Sequence, residues 1–153
     1  MRSNIEIRSL EISHLRTVFE MGRESIEPQS LASFDWSPEL LAKAYSKNEF
    51  LQLGAFIKKK LIGYLIALQL EKDGAVKILG LGINKDFRDK VSSKKNSELI
   101  GEVELQLLTR LVELLDGVNN VVVAVPANDE YLFSIFEKIG FVKSQSFVEM
   151  KLP

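Results

Sequence analysis

The chain has 153 residues, 46% of them hydrophobic, and its 21 acidic and 20 basic residues leave a net charge of −1. That balance predicts one domain over residues 1–153, able to bury a core without cross-links and with no general attraction to nucleic acid or membrane. With no cysteine and one histidine, His14, disulfides, thiol nucleophiles and multi-histidine sites are excluded, and no metal is expected.

The N-terminal run MRSNIEIRSLEI alternates charged and apolar residues and lacks the apolar block of a signal peptide. No apolar run approaches a membrane span, so a cytoplasmic location is expected. Ile5 and Ile7 alternating with Glu6 and Arg8 predict a half-buried strand. Ser13 stands where a cap belongs, before a helix whose Leu15, Val18 and Phe19 face the core. Residues 24–35 read as a loop, and Ser37-Pro38 starts a second helix running to residue 46. Residues 50–57 and 61–70 predict strands joined by Lys58-Lys59-Lys60, and Asp73-Gly74 turns the chain into a third strand at 75–83. Gly80 and Gly82 within it mark either a bulge or relief of crowding.

Residues 94–97 lead into a long helix in which Leu99, Ile100, Val103, Leu107, Leu111 and Leu114 recur at helical spacing, ended by Asp116-Gly117. A β-branched strand at 121–125, broken in composition only by Ala124, stops at Pro126. The segment NDEYLFSIFEKIGF, residues 128–141, then contains a complete helix. Asn128 and Asp129 can cap its start, and Leu132, Phe133, Phe136 and Ile139 form its apolar face. Gly140 sits at the left-handed C-cap with Phe141 as its hydrophobic contact. A last strand is expected at 147–152. The order is β-α-α-β-β-β-α-β-α-β, a mixed α/β fold with a right-handed crossover between residues 83 and 121.

With Asp129, Phe136 and Gly140-Phe141 at these spacings, and with this order of elements, the chain resembles the GNAT superfamily of acyl-CoA-dependent N-acyltransferases. The resemblance implies a mostly antiparallel sheet whose fourth and fifth strands are parallel and splay apart around the pantetheine arm of CoA. It favours the bulge reading of the strand glycines. It also implies acetyl-CoA as acyl donor and an amine on a small molecule or peptide as acceptor. Leu81, Gly82 and Ile83 on the fourth strand, and Asn128, Asp129 and Phe136 at the last helix, would border the donor.

Members of the family place an Arg/Gln-x-x-Gly-x-Gly/Ala loop before the third helix to hold pyrophosphate. Counted from the strand side, Arg88 takes the basic position, and Val91 and Ser93 replace the glycines. Counted from a helix start at Ser97, Lys94 and Asn96 fall at the glycine positions, and the two registers differ by three residues. Arg88, Lys90, Lys94 and Lys95 supply charge and Ser93 and Ser97 supply donors. Such a run also suits an ordinary solvated loop.

Catalytic groups are sparse. The family's strand glutamate is missing from 75–83 and 121–125, and Phe136 stands where a proton-donating tyrosine is often found. Tyr131 and Glu39 are the remaining candidates, Glu39 because it lies near the second helix, which borders the acceptor side in this fold. Only 12 residues follow Phe141, so the resemblance implies an open acceptor side. Three readings follow. One is an N-acetyltransferase working by positioning, and another is a CoA-binding or protein-interaction module without catalysis. The third is a dimerisation domain, resting only on apolar strands and a short tail.

Overall fold

The computed structural model describes residues 5–25, 50–70, 75–84, 86–87, 101–115, 120–123, 125, 129–143 and 152. Strand β1 (Glu6–Ser9) enters helix α1 (Leu15–Ser25) through a 3-10 turn at Ile12–His14. Strands β2 (Phe50–Ile57), β3 (Lys60–Leu70) and β4 (Ala75–Ile83) follow, then helix α2 (Glu102–Leu114), strand β5 (Val121–Val123) and helix α3 (Glu130–Ile139). The five strands form one sheet in chain order, antiparallel throughout except for the parallel β4–β5 pair. This is the mixed α/β architecture expected from the sequence. The expected second helix, the Asp73-Gly74 turn and, Leu152 aside, the last strand lie outside the described residues.

Two expected helix starts move. The α1 entry forms at Glu11 rather than at Ser13, because the Glu11 amide donates to His14 Nδ1 at 2.9 Å and the His14 ring stands edge-on to Phe56 at 5.1 Å. Helix α2 starts at Glu102, not near Ser97. Its N-cap is Gly101, in left-handed backbone (φ 83°). At the other end of α2 Leu114 is half exposed, and the core contact passes to Leu115.

Each face of the sheet carries a core. On one, Leu53, Leu65, Val76 and Ile78 meet Val103, Leu107, Leu108 and Leu111 of α2 and Ile135 and Phe136 of α3. On the other, Leu15, Val18 and Met21 of α1 cover Phe56, Leu61, Tyr64 and Ile66. Alternation along the strands makes this two-sided burial, but it is interrupted twice. Ala55 pairs with Gly63 and Phe56 with Leu61, so Ile62 is an extra residue in β3. Ile66 pairs with Gly80 and Ala67 with Ile78, so Leu79 is an extra residue in β4. A bulge of this kind bends the strand and shifts its facing by one residue. Consequently Leu81 and Ile83 pack on the same face as Val76 and Ile78, and Gly82 turns to the α1 face.

Candidate functional site

The bulge at Leu79 is where β4 and β5 part. Among the described residues their pairing covers Val76↔Val121, Lys77↔Val122 and Ile78↔Val123. Of the expected strand at 121–125, Val121–Val123 forms β5 and Val125 lies beyond it, while Ala124 is outside the described residues. Beyond the bulge, Asn84 donates its amide to the Ile62 carbonyl at 2.7 Å. Hydrogen bonding alternates along an antiparallel strand. Even-numbered residues of this stretch therefore bond to β3, while the N–H and C=O of Leu81 point toward the side that β5 has left.

Both helix starts lie at the same end of this gap. Helix α2 returns antiparallel to β4 to reach the parallel β5, so it begins at the carboxyl end of β4, and α3 begins beside it through the contacts of Gly101 with Ile135 and of Glu104 with Tyr131. In sheets with parallel strands that end is where ligands gather. Gly63 lets α2 approach the sheet, since a β-carbon there would come within 2.8 Å of Val103 Cγ1 and 3.2 Å of the Gly82 carbonyl. At the start of α2, a β-carbon on Gly101 would collide with Ile135 Cδ1 of α3. The start of α2 is thus packed directly on the second turn of α3.

The last helix is built as its sequence indicates. Asp129 accepts the Leu132 amide at 3.1 Å and caps it. At its other end the Gly140 amide (φ 111°) bonds the Glu137 carbonyl and the Phe141 amide bonds the Phe136 carbonyl, both at 3.0 Å. Phe141 closes this cap edge-on against Phe136, with ring centroids 5.1 Å apart. Phe136 is 3% exposed, so its ring belongs to the core.

The candidate site residues divide accordingly. Leu81, Ile83 and Asp129 stand at the gap or at the helix start beside it. Gly82 has a packing reason, because Tyr64 fills the space a side chain would need. Tyr131, in the first turn of α3, donates a 2.7 Å hydrogen bond to Glu104 Oε2 of α2. Glu39, Arg88, Lys90, Ser93, Lys94, Lys95, Asn96, Ser97 and Asn128 lie outside the described residues. Near that loop, Asn84 Oδ1 accepts the Phe87 amide at 3.0 Å and turns the chain as it leaves β4.

Two residues were missed from sequence. Gly101 is one: counted back from it, the loop pattern places Leu99 at the first glycine and Asn96 at the basic position, and a glycine does occupy the last position. Its signal was a glycine immediately before the acidic-apolar run Glu102-Val103-Glu104-Leu105. Glu104 is the other. It lies three, four and seven residues before Leu107, Leu108 and Leu111, on the apolar face of α2, and it is 3% exposed.

No family model and no curated protein matches the chain in sequence. Solved structures do match it in fold. The PaiA N-acetyltransferase from Thermoplasma acidophilum, solved in complex with coenzyme A, superposes with a TM-score of 0.69 at 22% identity, over 94% of this chain and 93% of that one. The ribosomal-protein-alanine N-acetyltransferase from Brucella melitensis gives 0.65 at 16% identity, over 99% and 100%. The aminoglycoside antibiotic 6'-N-acetyltransferase from Acinetobacter baumannii gives 0.68 at 11% identity, over 98% and 99%. This chain has the GNAT fold, as the sequence resemblance implied.

Proposed function

We propose that the chain binds an acyl-CoA, with acetyl-CoA the expected donor, and transfers its acyl group to an amine in a ternary complex. The observation that carries this reading is that, among the described residues, the parallel β4–β5 pairing runs only as far as the Leu79 bulge. The open edge it leaves, with the Leu81 N–H and C=O turned toward it, suits an extended amide-bearing chain such as pantetheine, held as an added strand would be. The fold likeness to N-acetyltransferases, one of them solved with coenzyme A, supports the same reading.

In the reaction the amine nitrogen attacks the thioester carbonyl carbon, the carbon–sulfur bond breaks, and the thiolate takes up a proton. Holding the two reactants in line lowers a barrier of this kind by roughly 7–11 kcal/mol. The backbone N–H of Leu81 on that edge of β4 can stabilise the oxygen that gains charge. Phe136 cannot donate the proton, so water or the substrate supplies it. The basic residues Arg88, Lys90, Lys94 and Lys95 are the groups proposed to meet the pyrophosphate. Glu102 and Glu104 are acidic residues in the first turn of α2, where an anionic ligand would otherwise be favoured.

A second reading, a CoA-binding module without turnover, is favoured by those two acids and by the burial of Phe136. Titrating acetyl-CoA into the protein tests binding, and an amine panel assayed by thiol release tests turnover. Micromolar binding weakened in Lys94→Ala/Lys95→Ala, with thiol release, is the expected result. Binding without release selects the second reading, and no binding at millimolar ligand overturns both.

A further inference from the structure

Glu104 is the only charged side chain buried among the described residues. It occupies the third helical position of α2, and its Oε2 accepts the Tyr131 hydroxyl from the first turn of α3 at 2.7 Å. A carboxylate withdrawn from water is costly to keep, and an apolar side chain would fill that helix face without the penalty. The helix contact has apolar support of its own, since Gly101 seats Ile135, and Ile135 and Phe136 fill the core beneath. What marks the carboxylate out is its place, because its hydrogen bond joins the starts of the two helices that flank the β4–β5 gap.

We propose that Glu104 is a positioning residue: through Tyr131 it fixes the first turn of α3 against that of α2 and so sets the mouth of the gap for the acyl donor. This rests on the acyl-CoA reading above. Tyr131 is 40% exposed and meets Glu104 with its hydroxyl rather than through a buried ring. Removing that oxygen unties the junction while leaving the apolar packing in place. The start of α3, with its Asp129 cap, is then free to shift relative to the edge of β4 that carries Leu81. Donor affinity falls although no group touching the donor has changed.

The test is calorimetric titration of acetyl-CoA into wild-type, Tyr131→Phe, Glu104→Leu, Glu104→Gln and the Tyr131→Phe/Glu104→Leu double variant, with each melting curve recorded. Tyr131→Phe and Glu104→Leu each weaken binding by about fivefold to tenfold, as loss of one charge-assisted hydrogen bond should. The double variant is no weaker than the worse single one, because both remove the same bond. Glu104→Gln retains an acceptor and stays within about twofold of wild type. Tyr131→Phe binding as tightly as wild type, or single losses that add in the double, would overturn the proposal even if melting points fall. Should Glu104→Leu fail to fold, Tyr131→Phe and Glu104→Gln carry the same decision. Wild-type protein that does not bind acetyl-CoA is a different failure, that of the donor-site reading itself.

Discussion

Tyr64 lies across Gly82: a β-carbon on that glycine would fall 2.6 Å from both Cζ and the hydroxyl oxygen of the tyrosine. The ring is fully buried on the α1 face and cannot swing away without opening the cluster around Phe56 and Ile66. Gly82→Ala therefore costs about 1–3 kcal/mol, as overpacking a tight interior does. Denaturant midpoints check this. Combining it with Tyr64→Leu should cost less than the sum of the two single changes, since both act on one contact. Additive costs would show that Gly82 is needed for some other reason.

The turn between β2 and β3 stores strain that can be relieved. Lys58 and Lys59 have φ of 48° and 69° and join Ile57 to its partner Lys60, so the hairpin has a two-residue loop with both central residues left-handed. Asn and Gly are the residues that such a loop favours. Lys58→Asn/Lys59→Gly should raise stability by about 1 kcal/mol through removal of the left-handed penalty. An unchanged or lower thermal midpoint would refute this account of the turn.

The same residues explain what could be read in advance. Strands β2 to β4 were legible almost to the residue because Val, Ile and Leu dominate them and short turns separate them. The last helix was legible because Asp129, Gly140 and Phe141 each do a local job that needs no tertiary partner. The start of α2 was not legible. Leu99 and Ile100 continue the helical spacing of Val103 and Leu107, so periodicity runs past the break that Gly101 makes. Glu104 was hidden for the opposite reason, because a charge on an apolar face looks like an error in the pattern until its partner, 27 residues later, is known. The bulge at Leu79 fell between these cases: Gly80 and Gly82 announced an irregularity, but only pairing with Ile66 and Ala67 locates the extra residue.

Phe136 tests whether the last helix contributes chemistry or packing. Its ring is buried and stands edge-on to Phe141, a geometry worth about 0.5–1.5 kcal/mol beyond the area it buries. Phe136→Leu should lower stability by an amount of that order or somewhat more. If the chain turns over acetyl-CoA, the rate should fall far less than the roughly 10²–10⁴-fold lost when a proton-transfer group is removed. A folded variant with a loss in that range would place the ring at the reacting atoms.

Gly101 and Gly140 separate two effects that glycine substitutions usually mix. Both have positive φ, 83° and 111°, so alanine at either strains the backbone by about 1–2 kcal/mol. Nothing lies within 4 Å of a β-carbon built at Gly140, whereas one at Gly101 meets Ile135 Cδ1 and comes 3.7 Å from the Tyr131 hydroxyl. Gly140→Ala should thus show the backbone cost alone and leave acetyl-CoA affinity unchanged. Gly101→Ala should cost a further amount on the order of 1–3 kcal/mol from the collision. It should also weaken acetyl-CoA binding, because α3 must move off the start of α2 at Ile135 and carry its first turn with it. Trimming the neighbour in Gly101→Ala/Ile135→Val should recover part of the collision cost and none of the backbone cost. Equal effects of the two single alanines on stability and binding would mean that the contact between the helix starts has no bearing on the site.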